Sequence, residues 1–137
     1  EYYRANSDRG IVVGTGNRSE VLLGYYTKYG DGGVDILPIG ELYKTEVRDV
    51  ARYLNVSERI IEKPPTAGLW EGQTDEEELG ASYETIDRVL QYLVDEGMSV
   101  EGVAEKTSVD VSKVEDLKRT YERSEHKRKM PPSPDLR

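Results

Sequence analysis

The sequence has no cysteine, a single histidine and no long apolar run in its 137 residues. The lack of cysteine excludes disulfides and thiolate metal sites. The lack of an apolar run excludes a membrane-spanning helix, which needs about 20 consecutive apolar residues. No charged segment followed by an apolar one marks a secretory signal, so a soluble cytoplasmic protein is expected. Positive charge is also in short supply. The formal net charge is −8, which argues against a nucleic-acid binder. The acidity lies in residues 1–107, and residues 108–137 are mildly basic. The length predicts one domain. There is no internal repeat. The first residues lack both a methionine and a helix cap, and they read as a cut or processed start.

What is present is organised around Gly14–Pro38, GTGNRSEVLLGYYTKYGDGGVDILP. The apolar run Ile11–Val13 leads into Gly14-Thr15-Gly16, and Val34–Leu37 follows the turn Gly30-Asp31-Gly32-Gly33. This predicts strand, glycine turn, helix, glycine loop and strand, hence two parallel strands of an α/β fold. Ligands of open α/β sheets bind at the carboxyl ends of such strands.

The rest reads as helices. Asn17 with Glu20 predicts a capping box. Tyr43, Val47, Val50, Ala51 and Leu54 keep the helical period from near Gly40 to Asn55. Ser57 predicts the cap of a short helix that Lys63-Pro64-Pro65 stops. Residues 66–73 predict a mobile loop. Thr74 opens one long helix whose stripe runs from Leu79 to Val94, with Gly97 ending it. Ser99 starts a further helix and Ser108 or Asp110 the last, which ends in His126-Lys127-Arg128-Lys129 beside the negative end of its dipole. Pro131–Pro134 predicts an extended tail. Two short strands cannot form the core for so many helices, so further strands are expected from outside this sequence.

Several residues stand out against their surroundings. Thr15 follows a strand between glycines, as a turn hydroxyl or a nucleotide contact. Glu20 completes a capping box and is also a hard oxygen donor. Asp35 interrupts an apolar run and needs a partner or ligand. Lys44 sits in the first turn of a helix, where a cation is unfavourable by roughly 0.3–1 kcal/mol unless a phosphate lies nearby. The acids Asp75 to Glu78 are explained as helix N-terminal charges. Ser99–Arg119 also fits a helix-turn-helix binding module, although Asp110, Glu115 and Asp116 would face phosphates badly.

The motifs GTGNRSE, GYYTKYGDGGVDILP, LYK, KPPTAGL, DEEELG and HKR, in that order, resemble the C-terminal half of NAD synthetases of the ammonia-dependent type. Those enzymes belong to the PP-loop ATP pyrophosphatases, with an adenine nucleotide alpha-hydrolase-like fold. The resemblance implies a partial Rossmann-like parallel sheet over residues 1–61, a lid loop over 62–74 and a helical portion over 75–137. It implies ATP-dependent amidation of deamido-NAD by ammonia through an acyl-adenylate. ATP contacts would come from Thr15, Lys44 and Thr66, with Lys63 assisting. Deamido-NAD contacts would come from Lys28, Asp35, His126 and Lys127, and Glu20 would be a magnesium ligand. Trp70 on the lid is expected to pack, or to depart from the family pattern. A homodimer is implied. The family's SGGxDS loop does not occur here, so this chain alone is expected to be inactive. Another PP-loop enzyme is the remaining relative of this pattern, and DILP, LYK and KPPTA point away from it.

Overall fold

The helical stripes read from the sequence meet in one core, and the helix they surround is central in the chain as well as in space. The computed structural model describes residues 1–135. Helix α1 spans Tyr2–Asp8 and ends on Arg9 in the left-handed region (φ 55°). Helix α2 spans Arg18–Leu23, α3 Lys44–Tyr53, α4 Glu58–Ile61 and α5 Asp75–Leu79. Helix α6 spans Tyr83–Leu90 and runs into a π-helical turn over Gln91–Asp95. Helices α7, Val100–Thr107, and α8, Val111–Arg123, follow, and a 3-10 turn covers Glu125–Lys127. On α6, Tyr83, Ile86, Val89 and Leu90 are completely buried. Against them pack Leu22 and Leu23 of α2, Tyr43 ahead of α3, Val103 and Ala104 of α7, and Val114 and Leu117 of α8. The segment that also fits a helix-turn-helix therefore turns its apolar faces into this core.

One expectation is met only in part here and one fails. The first is the parallel sheet. Among the described residues the two apolar runs form a single isolated bridge, Val13 to Ile36. Its direction is parallel as expected, with Gly14 N donating to Ile36 O at 2.8 Å and Asp35 N to Val12 O at 2.9 Å. A pair of short segments with no neighbouring strand is marginal in water. Their outer residues are bare: Ile11 is 60 % exposed, Val13 53 % and Ile36 46 %. The core is accordingly helix on helix. The second is the long helix after Thr74. Gly80 takes φ 68°, which ends α5, and the Ser82 side chain accepts from Thr85 N to start α6 afresh. The apolar stripe hid this break because glycine and serine fall on its polar side.

The caps largely hold. Asn17 and Glu20 form the reciprocal capping box. The side chains of Thr74, Ser99 and Asp110 accept from backbone N–H groups of the first turns that follow them. Ser108 instead takes the left-handed position that ends α7, and Asn55 turns left-handed after α3 (φ 57°). Ser57 precedes α4 without a side-chain cap, and α3 starts at Lys44 rather than near Gly40.

Candidate functional site

Two cavities share the start of α2. The larger, about 450 Å³, is lined by Glu20, Lys44, Lys63, Thr66 and Asp75 among others. The smaller, about 300 Å³, is lined by Thr15, Glu20, Lys127 and Arg128 among others. Glu20 and Asp31 line both.

Glu20 is held at this junction by its helix. Its Oε2 accepts from Asn17 N at 3.1 Å, closing the capping box. Its Oε1 accepts from Lys44 Nζ at 3.1 Å. The cation at the start of α3 thus has its anion, which answers the local conflict at Lys44. The Lys44 ammonium also lies 5.3 Å from the centre of the Tyr83 ring.

Asp75 is 4 % exposed. One oxygen, Oδ2, accepts from the Tyr83 hydroxyl at 3.3 Å, while Oδ1 is buried with no protein partner. Burial, then Glu20 and Asp75, push the Tyr83 phenol far above its ordinary range. Burial and then Glu78 do the same to Tyr25. Both phenols are therefore neutral donors to these carboxylates.

The loop after α4 is tied at its ends. Asp75 N donates to Pro65 O at 3.0 Å. Gln73 accepts from Leu69 N at 2.7 Å and donates to Glu78 at 2.5 Å. Thr66 Oγ1 accepts from Gly68 N at 3.0 Å. Trp70, expected to pack or to mark a local departure, is 58 % exposed. Among the described residues no group of three or more His, Asp or Glu side chains could hold a metal.

The remaining candidates do not line the larger cavity. Lys28 Nζ donates to the backbone carbonyls of His126 and Lys129, the latter at 2.9 Å, so Lys28 and His126 are neighbours. His126 is exposed, with Nδ1 at 3.1 Å from Arg123 O. Lys127 Nζ donates to Gly24 O and Tyr26 O, each at 2.6 Å. These carbonyls follow the end of α2, so the basic end of the chain serves that helix as well as α8. Arg128 does both, donating to Leu22 O at 2.5 Å and Tyr121 O at 2.8 Å. Asp35 found protein partners: it accepts from Val12 N at 2.7 Å and from the Tyr2 hydroxyl at 3.1 Å. It lines neither of the two cavities.

Thus Thr15, Glu20 and Lys127 share one cavity, and Glu20, Lys44, Lys63 and Thr66 share the other. Sequence reasoning passed over Asp31 and Asp75. Asp31 was visible only as a turn residue, and its Oδ1 does accept from Thr27 N at 2.8 Å. Asp75 had a sufficient explanation as a helix N-terminal acid, and nothing local told it apart from its exposed neighbours Glu77 and Glu78.

The model of the NAD synthase family matches residues 1–131. The NH(3)-dependent NAD(+) synthetase of Methanosarcina acetivorans is 52% identical over 135 residues, 98% of this chain and 52% of the relative. That of Methanococcoides burtonii is 55% identical over 130 residues, 95% of this chain and 49% of the relative. Among solved structures, NMN synthetase from Francisella tularensis superposes with a TM-score of 0.81 at 39% identity, over 98% of this chain and 51% of that one. The NH3-dependent NAD synthetase from Campylobacter jejuni does so with a TM-score of 0.74 at 31% identity, over 98% and 49%. The chain spans about half the length of the curated relatives it matches. A family match over nearly every residue, joined to relatives that are half identical across the same span, leaves one assignment: this chain belongs to the NAD synthase family.

Proposed function

We propose that the two cavities serve an ATP-dependent amidation in which deamido-NAD and ammonia give NAD, with ATP split into AMP and pyrophosphate. The observation that carries this reading is the Lys44–Glu20 pair on the wall of a cavity that also holds Lys63 and Thr66. The names of the relatives supply the reaction.

In that reaction the nicotinate carboxylate attacks the α-phosphorus of ATP, and the bond to pyrophosphate breaks. Ammonia then attacks the acyl carbon of the adenylate and loses a proton as AMP leaves. Negative charge builds on the departing pyrophosphate, and the Lys44 ammonium is the group placed to meet it. Thr15 and Thr66 would contact ATP. Lys28, Asp35, His126 and Lys127 would contact deamido-NAD, with Asp35 exchanging its exposed Tyr2 contact for the substrate. The acyl-adenylate must be kept from water, a task for the loop over 66–73. A parallel sheet continued by further strands and a homodimer belong to the same proposal.

Magnesium takes one or two carboxylates and draws its other ligands from phosphate and water. Glu20, which lines both cavities together with Asp31, would supply such a carboxylate. The ion would supply positive charge to the phosphates.

Calorimetric titration of ATP into the chain, with and without magnesium, tests the reading. Binding that requires magnesium is expected. Lys44→Ala and Glu20→Gln are each expected to weaken it about tenfold or more, the scale of losing one charged contact. Salt-sensitive binding of duplex DNA with no binding of ATP would instead select the helix-turn-helix reading. Because the Francisella tularensis neighbour is an NMN synthetase, deamido-NAD should be compared with its mononucleotide analogue as co-ligand. Preference for the mononucleotide would move the assignment to that product.

A further inference from the structure

Ser19 and Asp87 are both buried and have no part in the contacts assigned so far. Ser19 precedes Glu20 on α2, and Asp87 lies on α6. The Ser19 hydroxyl donates to Asp87 Oδ1 at 2.5 Å and accepts from Lys44 N at 2.9 Å. Asp87 Oδ2 accepts from Thr45 N at 2.9 Å. The first N–H groups of a helix have no acceptor within it, and here two of them end on side chains from two other helices. The residue that should cap α3 is Tyr43. It offers no side-chain cap, and its hydroxyl is committed to Asp95 at 2.7 Å. The cap of α3 is therefore imported, and its carboxylate suits the positive end of the helix.

The consequence falls on Lys44. Its backbone nitrogen is fixed by Ser19 and its ammonium by Glu20, two consecutive residues of one helix. The ring of Tyr83, one turn before Asp87 on α6, lies beside the ammonium. We infer that Ser19 and Asp87 are the positioning pair that holds Lys44 against Glu20, so that cation and carboxylate meet the nucleotide in a geometry set before it binds. This deepens the nucleotide reading of the site, but its own claim, that the pair sets the placement of Lys44, concerns the ligand-free chain.

The test is lysine acylation of the ligand-free chain, read residue by residue by mass spectrometry. In Ser19→Ala and Asp87→Ala, Lys44 should label about three- to fivefold faster, the factor that loss of a partly exposed ion pair allows. Lys106 and Lys118, far along the chain, should keep their rates. Asp87→Asn keeps an oxygen for Thr45 N but turns an amide N–H toward a hydroxyl that itself donates, so Lys44 should label faster there as well. Unchanged labelling at Lys44 in a folded Ser19→Ala variant would overturn the inference. So would a uniform rise at every lysine, which marks general loosening. Ser19→Ala removes only one oxygen, so it remains informative where Asp87→Ala fails to fold. Failure of the wild type to bind magnesium and ATP would sink the nucleotide reading and leave this result standing.

Discussion

Glu20 closes a capping box with one oxygen and meets Lys44 with the other, while its side chain stays 19% exposed on the wall of both cavities. A structural duty and a chemical one fall on one residue because the helix start supplies both the geometry and the exposure. Asp87 shows the opposite case, a buried acid. Burial raises its carboxyl above the ordinary carboxylate range. The hydrogen bonds from Ser19 and Thr45 pull against that rise, and the Glu84 charge adds to it. The folded state therefore holds this proton more tightly than the unfolded chain, and the ionised form costs the fold stability. As pH falls from the raised folded value to the ordinary value near 4, that cost is relieved. The stability of Asp87→Asn relative to the wild type should thus be highest at neutral pH and fall across that window. Urea unfolding of both proteins from pH 7 to pH 4 measures it.

At the scale of elements, the order of the pieces depends on where chains turn. Gly24 ends α2 at φ 65°, with its N–H donating to Glu20 O and Val21 O. A Cβ there would lie inside van der Waals contact with Ser124 Cβ and 3.2 Å from Lys127 Cδ. Gly24→Ala therefore meets a backbone penalty of about 1–2 kcal/mol and, in addition, pushes the basic end of the chain off α2. A loss of about 2–4 kcal/mol is expected from the sum of backbone strain and overpacking, read as a lower urea midpoint. The same chemistry divides α5 from α6 at Gly80. The loop between α4 and α5 is closed by its own hydrogen bonds, with Gln73 as the tie between Leu69 N and Glu78. Leu69 and Trp70 at its far side remain exposed.

For the molecule as a whole, the main apolar cluster lies in the helices around α6, and of the paired apolar runs Val12 is buried while Ile11, Val13 and Ile36 are exposed. Ile86 is completely buried and Ile11 is 60 % exposed. Ile86→Ala should cost about 2–5 kcal/mol, the range for emptying a buried aliphatic site. Ile11→Ala should change stability by about 0.5 kcal/mol or less, as surface substitutions do. Thermal melts of the two variants distinguish a helical core from a sheet core: comparable losses would mean that the bridge between Val13 and Ile36 bears weight. No helix among the described residues is long and apolar enough to cross a membrane.

The sequence by itself determined what depends on neighbours in the chain. Asn17 and Glu20 had to form a capping box, Thr74 and Ser99 had to start helices, Ser108 or Asp110 had to start the last one, and the stripe on α6 had to be buried, because each rests on spacing of a few residues. The family was legible for the same reason, since its motifs are short and ordered. Tertiary structure decided everything that joins distant positions. It paired Lys44 with Glu20, sent Asp87 to cap a helix other than its own, turned Asp35 toward Tyr2 and Val12, and buried Asp75 beside Tyr83. It also reduced two expected strands to one bridge. A hydrogen bond between residues dozens of positions apart leaves no period in the chain, and a strand is stable only if something lies beside it.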